Sequence, residues 1–163
     1  MVGTSRPPFG RKTRASRGIL LKYFMRVIEQ ERLIKSINDF DRIEREFSIT
    51  FPDFLKSFLL QFEGAFVDDT CYNGKETFKD VLNVYKHEHY ASVEEILKGH
   101  KVYGIEGFIP FAIDSGGWDY NVSIKPDTYG QVWVNKFNSG DEDTMTFVAP
   151  SFEEFIRELK PED

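Results

Sequence analysis

The chain has 163 residues, of which 40% are hydrophobic and sixteen are phenylalanine. That is enough for one domain with a proper core and too little for two ordinary ones. Residues 1–24 hold Arg6, Arg11, Lys12, Arg14, Arg17 and Lys22 and no acid, which leaves 15 basic and 27 acidic residues, a net −12, on the rest. Such an acidic body argues against nucleic acid and anionic membranes as partners, because phosphate binding needs Lys and Arg, and it favours a basic protein. Cys71 is the only cysteine, so an internal disulfide and a cysteine-based zinc site are both excluded, and a reducing, cytoplasmic setting is expected. No apolar run approaches a membrane span.

In chain order, residues 1–24 are basic and rich in Ser, Gly and Pro, with nothing to bury, and are expected to be a disordered extension. They also fit a transit peptide, being Arg-rich and acid-free, but the abrupt change at Met25 favours translation starting there. Residues 25–163 are expected to form one domain. Ile37, Phe40, Ile43 and Phe47 recur at helical spacing, with Asp39, Asp41, Arg42 and Arg45 on the other face. Pro52 suits the first turn of a second helix, whose stripe is Phe54, Leu55, Phe58, Leu59 and Phe62 and whose end is Gly64. The two helices should pair as a hairpin through their phenylalanines.

Residues 66–79 read as loop or weak strand, and DVLNVYK (80–86) as a short strand. Ser92 and Glu95 have capping-box spacing, opening a helix that is expected to end at Gly99. Strands are expected near 108–113, 119–124, 131–136 and 144–148, separated by Asp-Ser-Gly-Gly, Pro-Asp-Thr-Tyr-Gly and Asn-Ser-Gly-Asp-Glu-Asp turns. Ser151 and Glu154 form a second capping box before a helix with Phe152, Phe155, Ile156 and Leu159 on one side. The order implies an α+β fold: a mainly antiparallel sheet of about five to six strands, an N-terminal helical hairpin, a middle helix and a C-terminal helix.

Catalytic chemistry finds little support. Ser115 lies in Asp-Ser-Gly-Gly before a strand, not in the strand-to-helix elbow that activates a serine. His87-Glu88-His89, with His100 elsewhere, is the best metal hint, and alternate residues of a strand do share a face, but a solvated pair is the plainer expectation. A metal hydrolase built on these histidines is therefore the least favoured reading, and neither cofactor nor metal is expected. Asp114 and Asp119 flank a tight turn in which Gly116 and Gly117 supply positive φ and Asp114 hydrogen-bonds amides two residues on. Nothing else in the sequence builds a pocket around those two carboxylates. Trp118 follows the glycines and is expected in the core or half-exposed.

Three stretches together carry a resemblance. INDFDRIEREFSITFPDFLKSFLLQFEGA, GFIPFAIDSGGWDYNVSI, and GQVWVNKF followed by VAPSFEEFIREL fall in order over residues 35–159. Together they resemble the SUKH superfamily, the family of fungal cell-wall-synthesis regulators and bacterial toxin-immunity proteins. Two departures stand out: Glu63-Gly64-Ala65 where the family commonly has Asn-Gly, and a bulky Trp118-Asp119-Tyr120 after the glycines. The resemblance implies a non-catalytic domain. Bacterial members would neutralise a cognate toxin, often a nuclease, and fungal members would act as intracellular regulators. Its candidate contacts here, chosen for acidity and aromaticity, are Asp68, Asp69, Asp114, Trp118, Asp119, Tyr120, Asp141, Glu142 and Asp143.

Overall fold

The computed structural model describes residues 25–161; the basic segment 1–24 lies outside them. The fold is α+β, as expected, but the antiparallel sheet has eight strands rather than five or six. They are β1 (Val27–Gln30), β2 (Ala65–Tyr72), β3 (Glu76–Val81), β4 (Phe108–Ile113), β5 (Asp119–Ser123), β6 (Val132–Asn135), β7 (Met145–Ala149) and β8 (Leu159–Pro161). The first seven lie side by side in sequence order. The chain then returns, and β8 pairs with Thr70–Tyr72 while β1 pairs with Ala65–Val67, so two short strands together cover the outer edge of β2.

The extra strands come from segments whose two-residue period is broken or weak. Residues 66–79, expected as loop or weak strand, make up most of the β2–β3 hairpin. Ala65, Val67, Thr70 and Tyr72 are buried, but a register shift between Phe66 and Thr70 inserts Asp68 and Asp69 and disrupts the alternation. The strand expected at 80–86 instead ends at Val81; Leu82–Val84 continue as buried, irregular chain.

The helices are α1 (Asp41–Phe47), preceded by a 3-10 turn at Ile37–Phe40, α2 (Asp53–Phe62), α3 (Val93–Val102) and α4 (Phe152–Arg157). The single helix expected from Ile37 is thus split in two, and Ile37 is exposed, while Phe40 and Ile43 are fully buried. Pro52 caps α2. Ser92 and Ser151 cap α3 and α4, each hydroxyl accepting the third amide of its helix at 3.1 Å. Helix α3 runs past Gly99 to Val102, because Gly99 keeps helical geometry and the left-handed residue that follows the last turn is Gly104.

Neighbouring strand residues point to opposite faces of the sheet. One face receives α2 and α4 through aromatic contacts: Phe58 lies 5.1 Å from Phe152, Phe111 5.1 Å from Phe152, and Tyr120 5.1 Å from Phe155. The 3-10 turn packs on the link between α1 and α2, with Phe40 5.0 Å from Phe51. Each such ring contributes about 1.5–3 kcal/mol by leaving water. The other face is covered at β4 and β5 by α3, which buries Val93 and Leu97 and adds polar contacts: His100 Nε2 lies 3.1 Å from an Asp119 carboxylate oxygen, and Asn121 Nδ2 donates to the same oxygen at 2.8 Å. All three polar side chains are buried.

A second polar tie joins α1 to α3. Arg42 donates to both Glu94 oxygens, at 3.2 and 3.0 Å, and its guanidinium lies 4.6 Å from the centre of the Tyr85 ring. These hydrogen bonds from Arg42, helped by the Lys86 amide, outweigh burial and hold the Glu94 carboxyl at about 2, against an ordinary 4.5. The folded value lies below the unfolded one. The tie is therefore at full strength above pH 5 and fades as pH falls toward 2. The wild-type protein should lose roughly 3 kcal/mol more stability across that range than Glu94→Gln, measured as urea midpoints at each pH. Equal losses in both proteins would show that the pair contributes nothing.

The tightest knot is Glu63, at the end of α2. It is fully buried, and its carboxylate accepts the backbone amides of Leu33, Ile34 and Val84. Glu63→Ala would leave three inward-facing amides without acceptors and should destabilise the fold by about 3–5 kcal/mol, read from denaturant unfolding. A loss under 1 kcal/mol would mean that water replaces the carboxylate.

Candidate protein-binding surface

The β4–β5 connection is built as its residues dictate. Asp114 Oδ1 accepts the amides of Gly116 at 2.9 Å and Trp118 at 2.8 Å, and the Asp114 carbonyl accepts Gly117 N–H at 3.2 Å. Gly117 has φ of 92°, a conformation that favours glycine, while Gly116 does not need one. Ser115 is bound to Thr77 through both its amide and its hydroxyl, so the turn is fastened to β3.

Trp118 is half-buried against the core, as expected. Its Nε1 donates to Asn138 Oδ1 at 2.6 Å, and Lys136 Nζ lies 5.4 Å from its ring centre. Residues 136–144 form the β6–β7 connection, which carries the exposed Asp141, Glu142 and Asp143. The tryptophan thereby ties the Asp114 turn to the acidic loop, and four of the expected acids share one end of the sheet. Among the described residues none of the four has an ion-pair partner within 4.0 Å.

The other candidates are placed differently. Asp68 and Asp69 sit at the β2 irregularity and are paired internally, with Arg26 at 3.0 Å and Lys79 at 3.1 Å. Asp119 and Tyr120 are buried, at 4% and 0% exposure, and present no surface to a partner. Alternation explains both: Asp119 turns toward His100 of α3, and Tyr120 turns into the aromatic layer, where its hydroxyl donates to the Thr77 carbonyl. Burial raises the Tyr120 phenol above its ordinary range.

The histidines are likewise spoken for. His87 Nε2 lies 3.1 Å from Glu31, and its Nδ1 accepts the His89 amide at 3.0 Å. His100 is enclosed between α3 and β5 and stands apart from that pair. Among the described residues no group of three or more His, Cys, Asp or Glu is arranged to hold a metal, and no helix is long and apolar enough to cross a membrane.

Sequence reasoning missed a cleft of roughly 310 Å³ beside this turn. Its floor is the outer face of β2, β3 and β4, where Phe66 pairs with Asp80 and Asp80 with Ile113. One wall is Glu29–Glu31 and the other His89–Ala91. Ile113 closes β4, and the next residue, Asp114, begins the turn, so cleft and acidic end are contiguous. Only pairing across strands assembles this cleft.

The chain from the 3-10 turn to the end of α4 is also where a known family appears. The family's sequence profile matches residues 36–158. The chain belongs to the SMI1 / KNR4 family (SUKH-1). Comparison with curated proteins gives no match. In this SUKH-1 chain the matched span includes both helical layers and strands β2 to β7, and the Glu63-Gly64 departure falls at the buried knot under the cleft.

Removing the Asp114 carboxylate isolates the turn's contribution. Asp114→Ala should speed hydrogen exchange at the Trp118 amide at least tenfold and shift the tryptophan emission, with a stability loss of about 1 kcal/mol. Unchanged exchange would mean that Ser115 and Trp118 fix the turn without it.

Proposed function

We propose that this SUKH-1 chain is a non-catalytic protein-binding domain, an immunity protein that neutralises a cognate basic toxin, such as a nuclease, by occupying its active face. Family membership supports a binding role over an enzymatic one. The observation that carries the reading is the acidic end of the sheet. Asp114, Asp141, Glu142 and Asp143 stand beside a half-buried tryptophan, without an ion-pair partner among the described residues, on a body (residues 25–163) of net charge −12.

The physics suits that role. A nuclease must present Lys and Arg to bind phosphate, and an acidic surface competes for the same groups. Opposite fields speed encounter, and an aromatic group next to the acids supplies apolar contact at the centre of the patch. Acids already satisfied within the chain, such as Asp68 and Asp69, add to the field but offer less to a partner. The cytoplasm, where a cell's own toxin would first be met, is the setting this function requires.

Co-expression tests the reading. The full chain should protect cells from a toxin encoded beside its gene and co-purify with it. Asp114→Lys combined with Glu142→Lys should weaken the complex at least tenfold, about 1.4 kcal/mol, mainly through slower association. Unchanged affinity in the double variant would remove this end from the interface. Failure to protect, together with a stable complex with a host signalling protein, would replace immunity by the regulatory role of an intracellular scaffold.

A further inference from the structure

We infer that the cleft between β1 and the chain leading into α3 is a socket for one arginine side chain of a protein partner. The inference rests on the protein-binding reading above and names the chemistry of one contact.

The cleft is rich in acceptors. Asp80, half-buried on its floor, has no hydrogen bond or ion pair to its carboxylate among the described residues; Glu29 stands on the wall, and Glu31 beside it already meets His87 at 3.1 Å. Asn83, also on the lining, is 1% exposed. Its amide orientation is fixed by Nδ2, which donates to the Glu31 carbonyl at 2.9 Å. That leaves Asn83 Oδ1 buried with no hydrogen-bond donor. Buried polar atoms are ordinarily paired, and this oxygen at the cleft lining is left without a donor, as are His100 Nδ1 and Asn121 Oδ1 at the contact of α3 with β5. Burial raises the Asp80 carboxyl above its ordinary range, as for a carboxylate that lacks a full counter-charge. Its sequence neighbour Lys79 offsets that only in part, its ammonium being held 3.1 Å from Asp69 and over the Phe66 ring at the edge of the cleft.

Shape and apolar lining select the guanidinium. Roughly 310 Å³ is at the small end of ligand pockets, room for a side chain and not for a cofactor. Tyr90 and Ile113 offer surface to an aliphatic stem and a flat cation; Tyr90 packs against His87 at 4.7 Å and is still 48% exposed. Five N–H donors in a planar fork match several separate acceptors better than an ammonium does. Nothing here favours an anion: three carboxylates would repel it.

The test needs no toxin. Nα-acetyl-arginine methylamide is titrated into the isotope-labelled full chain and followed by NMR. Saturable shifts are expected at the Asn83 side-chain amide, Gly64 and Ile113, none with the neutral citrulline analogue, and at least a threefold weaker affinity in Asp80→Asn. Shifts spread evenly over the acidic surface, equal shifts with citrulline, or undiminished affinity in Asp80→Asn would each overturn the socket. So would a cleft already occupied by the chain's own arginines, seen as movement of these signals when Arg11, Arg14 and Arg17 are replaced by glutamine. A failed titration leaves toxin protection in cells untouched, and failed protection with a working socket overturns only the immunity reading.

Discussion

The structure turns on a carboxylate without a cation. Glu63 is out of contact with water, and backbone amides alone satisfy it: two from the strand-to-helix link at Leu33 and Ile34, one from Val84 beyond β3. A buried charge is tolerable only when its lone pairs are met by well-placed donors, and here the donors come from two segments far apart in sequence. The carboxylate therefore fixes three things at once: the end of α2, the path of residues 31–34, and the chain that leads into α3. Gly64 completes the knot. Its φ is +72°, and a Cβ there would lie 2.0 Å from the Glu31 carbonyl oxygen. The two walls of the cleft thus hang from one Glu-Gly pair.

The sheet's two faces obey different physics. Toward α2 and α4, packing is aromatic and non-directional; many rings share the burden, and no single one fixes orientation. Toward α3, the burial of Val93 and Leu97 is joined by a few contacts that are polar and directional. His100, Asp119 and Asn121 fasten the helix to β5, and Arg42 with Glu94 fastens it to α1. Directional ties set the height and tilt of α3, and with it the His89–Ala91 wall. The apolar face makes the fold stable, and the polar face determines where the cleft opens.

How much of this was legible in the sequence follows from the range of the interactions. Helix caps at Ser92 and Ser151, the Asp114 turn and strands β4 to β7 are local: side chain and amide are within a few residues, and the pattern shows both partners. The β2–β3 hairpin was obscured because Asp68 and Asp69 interrupt the alternation at the very place where the register shifts. Asp119 and Tyr120 were read as surface because they adjoin a turn, yet alternation sends one into a histidine pair and the other into the aromatic layer. A buried Asp beside a buried His is invisible to composition, since each residue alone looks solvent-loving. The cleft was hidden for the same reason, as its lining comes from β1, β3, β4 and the approach to α3.

Charge alone cannot explain how such a surface discriminates among partners. The −12 of residues 25–163 attracts any basic protein, and exposed acids gain little from a single well-solvated counter-ion. Discrimination requires acceptors that water does not satisfy, since a partner lacking the matching donor then leaves a buried group unpaired. Several acids of this chain fail that test: Asp68, Asp69, Glu44, Glu94 and Glu63 already hold internal partners. Asn83 Oδ1 and the desolvated Asp80 meet it. The open acids around Asp114 suit encounter, where long-range field matters more than fit. The cleft one residue away suits recognition, where a misplaced donor is costly. Steering and selection then fall on adjoining surfaces of one strand end, and a partner drawn in by the first is already positioned over the second.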